Sequence, residues 1–159
     1  MIDLVFKNYT SPRRSAGTLR GRQKAPGYSF FKKILETVAR GLKLKRSVEV
    51  SVNLVSESKI RELNRKYRKK DKPTDVLSFP LNPTFHVPHS TFQDFGDIFI
   101  CLSIAKKEAK RENISIEKKL AQLTVHGFLH LSGYDHEISK KYAKEMFGLE
   151  SKILKEWKF

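Results

Sequence analysis

The run of residues 126–136 constrains this chain more than any other part of its sequence. Three of the five histidines, His126, His130 and His136, fall within it, and Gly133 lies between the second and the third. Residues four apart share one face of a helix, with Cβ atoms roughly 6 Å apart. A glycine can adopt the left-handed conformation that ends a helix and turns the chain back. The pattern therefore predicts a metal site at the end of a helix and its following turn.

The ligand set indicates what kind of metal site this is. Three imidazoles that leave a fourth position open are typical of a catalytic zinc ion, because structural zinc sites are closed. The spacing also matches the metzincin peptidases, but these need a glutamate directly after the first histidine, and this chain has Gly127 there. Peptide hydrolysis by that mechanism is therefore disfavoured. Asp135 has two open interpretations, as a carboxylate that orients a ligand histidine or as a cap of the turn. His86 and His89 are expected to be solvated loop residues.

A basic segment precedes the histidine run by about sixty residues. Six lysines and arginines fall in residues 65–72, at the end of a predicted helix. Cations there suit the helix dipole, so a solvated helix end is one interpretation; phosphate binding is the other. The candidates for phosphate contact are Arg68, Lys69, Lys70 and Lys72. The neighbouring Tyr67 is expected on the inner face of the helix rather than stacked on a base.

The charge balance favours a polyanionic partner. The formal net charge is +15 and the pI is about 10.0, which speeds association with nucleic acid or an anionic membrane surface. No apolar run approaches the roughly 20 residues that span a bilayer, and the N-terminus does not look like a signal peptide. Cys101 is the single cysteine and is expected to be buried in a strand. A reducing, cytoplasmic location fits best.

Periodicity predicts an α+β fold in one domain, residues 1–159, with about four strands in a small mixed sheet and about five helices. The strands are expected at residues 2–6, 48–54, 76–79 and 96–101, and the helices at 28–42, 56–68, 103–113, 115–133 and 139–157. Residues 81–95 are expected to form a loop. Residues 11–27 are predicted to be a flexible basic insertion, either an arm that grips phosphates or a merely hydrated loop; an organellar transit peptide is a less favoured alternative.

The histidine run resembles the signature of the YbeY endoribonuclease family, H-G-x-L-H-L-x-G-Y-D-H, at every fixed position. Tyr67-Arg68 with residues 71–80 is similar to a second block of that family, and residues 96–98 to a third. The resemblance covers most of the chain from about residue 28. The basic insertion departs from the compact family pattern.

The resemblance implies a single-strand-specific endoribonuclease of ribosomal RNA maturation, notably at the 3′ end of the small-subunit RNA, and of ribosome quality control. It implies one zinc ion on His126, His130 and His136, and a functionally important arginine at Arg68. Single-stranded RNA and the small ribosomal subunit are the partners it implies. Two alternatives stay open: a non-catalytic ribosome assembly factor with a structural zinc, and a metallohydrolase of another substrate.

Overall fold

A four-stranded sheet and five helices form the part of the chain that the computed structural model describes, residues 1–10, 25–81 and 92–157, with backbone alone at 92–94. In chain order the elements are β1 (Ile2–Asn8), α1 (Tyr28–Gly41), β2 (Ser47–Val55), α2 (Glu57–Arg68), β3 (Val76–Pro80), β4 (Phe92–Cys101), α3 (Leu102–Arg111), α4 (Ile116–Leu131) and α5 (Lys140–Leu154). This confirms the predicted α+β fold with a small mixed sheet.

The strand order is β1-β2-β4-β3. β1 pairs parallel to β2, and β2 pairs parallel to β4. β3 runs antiparallel to β4 at the edge, with Val76 opposite Ile100 and Pro80 opposite Gly96. This edge strand ends beside α4, so the sheet forms one wall next to the histidine run.

The main core lies between one face of the sheet and helices α1, α3, α4 and α5. Its members alternate along the strands, as Val48, Val50, Val52 and Leu54 do in β2, and all four are buried. A smaller cluster on the opposite face joins α2 to the sheet through Ile60, Leu63, Val55, Leu77 and Cys101. Cys101 is fully buried, as predicted. Helix α4 is therefore held rigidly against the sheet along most of its length.

The start of α4 is fixed by polar contacts. Ser115 caps the helix by accepting a hydrogen bond from the Lys118 N–H at 3.1 Å. Lys119, a buried residue, places its Nζ 2.8 Å from Glu112 and 3.3 Å from Glu108. The hydrogen bond from Lys119 lowers the pKa of the Glu112 carboxyl below its usual value. These ion pairs join α4 to the end of α3.

Three local predictions were wrong. Residues 92–95 were expected in a loop, yet β4 begins at Phe92 because this stretch continues the ladder along β2, with Phe92 opposite Ser47. The last helix ends at Leu154 instead of Trp157. Tyr67 was placed on the inner face of its helix, but it is 55% exposed, since its ring packs against Phe79 of the edge strand and under the Lys66 Nζ.

Two predictions about organisation remain predictions. Residues 11–24 of the basic insertion lie outside the described residues, so the flexibility expected for 11–27 is untested, and the assignment of the whole chain to one domain is untested as well. Within the described ranges, no helix combines the length and the apolar character needed to cross a membrane.

Candidate metal centre

The end of α4 is built to reverse the chain. Ser132 follows the last helical residue, and Gly133 has φ +88°, the left-handed conformation predicted for it. The Tyr134 N–H donates to the Leu129 carbonyl at 3.0 Å, and the Gly133 N–H donates to the His130 carbonyl at 3.0 Å. These bonds satisfy carbonyls that the helix end would leave without partners. The turn brings His136 back over the last turn of α4.

The structure brings the three predicted ligands together. The Nε2 atoms of His126 and His130 lie 3.2 Å apart. The His136 ring centroid lies 5.1 Å from that of each of the other two, and the ligand atoms of all three lie within 4.8 Å of one another. Burial, and then the neighbouring His126 and His136, lower the pKa of His130. His130 is therefore biased toward the neutral imidazole that a metal ion requires.

The donor set fits a single ion. A tetrahedral zinc with Zn–N bonds of about 2.1 Å places ligand nitrogens about 3.4 Å apart, close to the 3.2 Å between His126 and His130. The other separations in the trio are at most 4.8 Å. The trio can hold a metal ion.

Glu150, a residue of α5, was missed by the sequence analysis. Its Oε2 lies 3.2 Å from Nδ1 of His126, and both side chains are about one fifth exposed. An ionised carboxylate can only accept a hydrogen bond, so Nδ1 donates and Nε2 presents its lone pair to the metal position. No local signal marks Glu150, because it lies 24 residues downstream and reaches His126 only through the packing of α5 on α4.

Gly127 faces the sheet instead of the histidines. A Cβ at this position would lie 2.9 Å from Ile98 Cγ2 and 2.9 Å from Ser78 Oγ. Such contacts are shorter than side chains tolerate in a packed interior. The position that carries the general base in metzincins therefore has no room for a side chain here, which gives a structural reason for the glycine.

The three histidines open on a cleft of about 540 Å³. Its lining includes Arg68 from the end of α2, residues 74–78 and 80 from β3 and the turn before it, and residues 133–138 from the turn after α4. Arg68 lies 3.2 Å from Glu137 Oε1, and both side chains are substantially exposed. Such exposed pairs contribute little, about 0–1 kcal/mol, so Arg68 can exchange Glu137 for another anion.

Asp135 also lines this cleft. Its Oδ1 accepts a hydrogen bond from the backbone N–H of Glu137 at 2.8 Å, which is the turn-capping arrangement. The negative charge of Asp135 acts to raise the pKa of His130, against the larger lowering by burial and by the neighbouring histidines. Asp135 thus orders the segment that carries Glu137, while its predicted role in orienting a ligand histidine stays a prediction.

The predicted phosphate-binding lysines lie just outside the cleft. Lys69, Lys70 and Lys72 are exposed and follow the end of α2. The turn that carries them is fixed by Asn64, a buried residue whose Nδ2 donates to the Lys72 carbonyl at 2.7 Å. Their role in RNA binding stays a prediction. His86 and His89 lie outside the described residues.

The comparison with known protein families covers nearly the whole chain. Residues 22–158 match the family described as Endoribonuclease YbeY. The chain belongs to the YbeY endoribonuclease family. Two of the three sequence blocks that resemble this family contribute residues to the cleft, at the end of α2, in β3 and in the turn after α4. The third block lies in β4, which pairs with β3.

Individual relatives agree with the family assignment. The chain is 40% identical over 148 residues to the Endoribonuclease YbeY of Sulfurihydrogenibium sp., covering 93% of this chain and 95% of that protein. It is 42% identical over 124 residues to the Endoribonuclease YbeY of Persephonella marina, covering 78% and 79%. A Thermotoga maritima protein solved in solution is similar in structure, with a TM-score of 0.58 and 32% identity over 98% of this chain and 88% of that one.

Proposed function

We propose that this protein is a zinc-dependent, single-strand-specific endoribonuclease of ribosomal RNA maturation. The observation that carries the proposal is the trio of histidines at the floor of an open cleft that also contains Arg68, in a chain of the YbeY endoribonuclease family. Its relatives, which are named as endoribonucleases, supply the reaction class. We further propose that the protein acts in the cytoplasm on the small ribosomal subunit, at the 3′ end of its RNA. It would also take part in ribosome quality control.

The donor set supports zinc as the metal. The three ligands are all imidazoles, with no thiolate and no carboxylate among them, and zinc favours neutral imidazole ligands. His126, His130 and His136 would hold the ion, and Glu150 would fix the orientation of His126. Bound zinc supplies Lewis acidity toward a phosphate oxygen and toward water.

The remaining roles fall to residues of the chain itself. Arg68 binds the phosphate at the cleavage position and stabilises the negative charge that builds on it, because a guanidinium can bind phosphate bidentately. RNA must displace Glu137, whose exposed contact with Arg68 offers weak competition. Lys69, Lys70 and Lys72 guide the flanking strand by charge. The attacking nucleophile is either water or the 2′-hydroxyl of the RNA.

Gly127 and the open cleft argue against the peptidase and the structural-zinc alternatives. A peptidase of the metzincin type needs a carboxylate where Ile98 and Ser78 leave no space, so RNA is favoured over peptide. A purely structural zinc would close its coordination with a fourth protein ligand, whereas these histidines border a cleft of about 540 Å³. The net charge of +15 favours a polyanionic substrate over a small neutral one.

The test is cleavage of a labelled single-stranded RNA by the wild type and by H126A, purified identically and assayed with and without zinc. We expect metal-dependent cleavage by the wild type, none by H126A, and slower cleavage of the same RNA annealed into a duplex. A 2′,3′-cyclic phosphate in the products would identify the 2′-hydroxyl as nucleophile. Absence of cleavage by both proteins, with RNA still bound, would favour the assembly-factor alternative.

A further inference from the structure

A second concave surface lies between α4 and α5, next to the metal centre. It encloses about 470 Å³, and its lining includes Lys118, Gln122, Phe147, Glu150, Lys155 and Trp157. We call it the α4–α5 groove. The cleft that contains Arg68 is lined by other residues throughout, so the two depressions are separate.

Two residues form the wall between the groove and the histidines. The ring of Phe147 stacks on the ring of His136, with centroids 5.4 Å apart and planes 24° apart. Glu150 is the carboxylate that contacts His126. A ligand in the groove would therefore lie beside two side chains that contact the metal-binding histidines.

The ring of Phe147 is only partly covered by the described residues. Phe147 is a large apolar side chain of α5, and it is 49% exposed. Its ring is ordered from one side by His136 and remains accessible from the groove. A flat ring presented in this way is a stacking platform for a nucleobase.

The charges around Phe147 distinguish a base from a phosphate. Lys118 and Lys155 are exposed cations that line the groove, while Glu150 is the acidic residue on its inner wall. A phosphate would be repelled beside Glu150 and attracted to the two lysines at the rim. A nucleotide therefore fits with its base inward, against Phe147 and within reach of Gln122, and its phosphate outward. The volume suits one nucleotide.

We propose that the α4–α5 groove binds a base of single-stranded RNA next to the cleavage position, stacked on Phe147. The proposal rests on the proposed function for the identity of the ligand. An unpaired base leaves its own stack at a lower cost than a paired one, so the groove also gives a physical basis for preferring single strands.

The chain carries its own reporter of this binding. Trp157 is the single tryptophan of the sequence, and it lines the groove. Its emission is recorded while a six-nucleotide single-stranded RNA is titrated onto H130A, whose loss of one ligand is expected to stop cleavage. Within this background F147L is compared with Y142L, a matched control in which Tyr142 is 48% exposed on the same helix but does not line the groove. Metal content does not enter the comparison, since every variant lacks the same ligand.

We expect the RNA to change Trp157 emission, with a dissociation constant about 5- to 100-fold weaker for F147L. Y142L should bind within about twofold of its parent, because an exposed ring away from the contact has little effect. A hexamer with abasic sugars should lose affinity to a similar degree as F147L does. Replacing both lysines, K118Q with K155Q, should reduce the salt dependence of binding by about 0.7 per lost phosphate contact.

Several results would overturn the proposal. Unchanged Trp157 emission, equal affinities of F147L and Y142L, or equal affinities of abasic and ordinary RNA would each exclude base stacking in the groove. With the histidines intact, F147L should raise the KM for the hexamer more than it lowers kcat. If the wild type cleaves RNA while F147L matches Y142L, the groove proposal fails alone. If RNA binds through Phe147 but no cleavage occurs, the proposed function fails and the groove stands.

Discussion

Gly127 allows the packing beside the metal centre to be tested against a matched control. Both Gly127 and Gly148 lie inside helices, where replacing glycine by alanine gains about 1 kcal/mol of helix propensity. At Gly127 the new Cβ would lie 2.9 Å from Ile98 Cγ2 and from Ser78 Oγ, whereas at Gly148 nothing lies within 4 Å. Comparing G127A with G148A cancels the propensity and leaves the cost of the contact.

The magnitude follows from those contacts. Ile98 is fully buried and β-branched, so its Cγ2 cannot move without a change of rotamer or backbone. Forcing a methyl group into such a site costs about 1–3 kcal/mol. G148A should therefore be more stable than the wild type by about 0.5–1 kcal/mol, and G127A less stable than G148A by about 1–3 kcal/mol, or roughly 2–12 °C in Tm.

The assay is denaturant or thermal unfolding of the three proteins in the presence of chelator, so that metal binding adds nothing to stability. A G127A protein as stable as G148A would refute the reasoning, because the position would then have room for a side chain. A metzincin-type base at this position would then no longer be excluded by lack of space. If G127A does not fold, the contact of the new methyl group costs more than about 3 kcal/mol. The stabilisation expected of G148A can still be measured in that case.

Two further predictions concern the surroundings of the site, and a third concerns the ion pair at the start of α4. E150A should weaken zinc affinity about 10- to 100-fold, measured by competition with a chelator, because it removes the hydrogen-bond acceptor that orients His126; unchanged affinity would exclude that role. E137Q should lower the KM for RNA by freeing Arg68. R68K should lower kcat because lysine cannot bind a phosphate bidentately as arginine does. Identical kinetics of E137Q and wild type would contradict the displacement of Glu137 from Arg68 by RNA. The pKa of Glu112 is lowered, so the stability that its carboxylate contributes is present at neutral pH and is lost as pH falls through the folded-state pKa. E112Q should therefore be less stable than wild type near pH 7. A difference in stability between the two proteins that does not narrow in acid would contradict the ion pair.

What the sequence predicts well is local. The spacing of His126 and His130 on one helix and the left-handed conformation of Gly133 follow from helix geometry alone, and the structure has both. Alternation in β2 likewise identifies its buried face without knowledge of its neighbours. These features depend on residues within a few positions of one another.

What the sequence missed depends on contacts distant along the chain. Glu150 and Phe147 have no motif of their own and reach His126 and His136 only because α5 packs on α4. The start of β4 at Phe92 is fixed by pairing with β2, about 45 residues earlier. Tyr67 has helical spacing consistent with the core, but its helix packs near the rim of the sheet, which leaves the ring exposed.

The most direct test of the account is a titration of metal-free protein with zinc, in which bound zinc and single-stranded RNA cleavage are measured in the same samples. We predict that cleavage is absent at the start, rises in proportion to bound zinc and saturates at one ion per chain. H126A, H130A and H136A should each show weakened zinc binding and no cleavage. Full cleavage by the chelated wild type, or one bound zinc with no cleavage of any single-stranded RNA, would contradict a metal-dependent ribonuclease built on these three histidines.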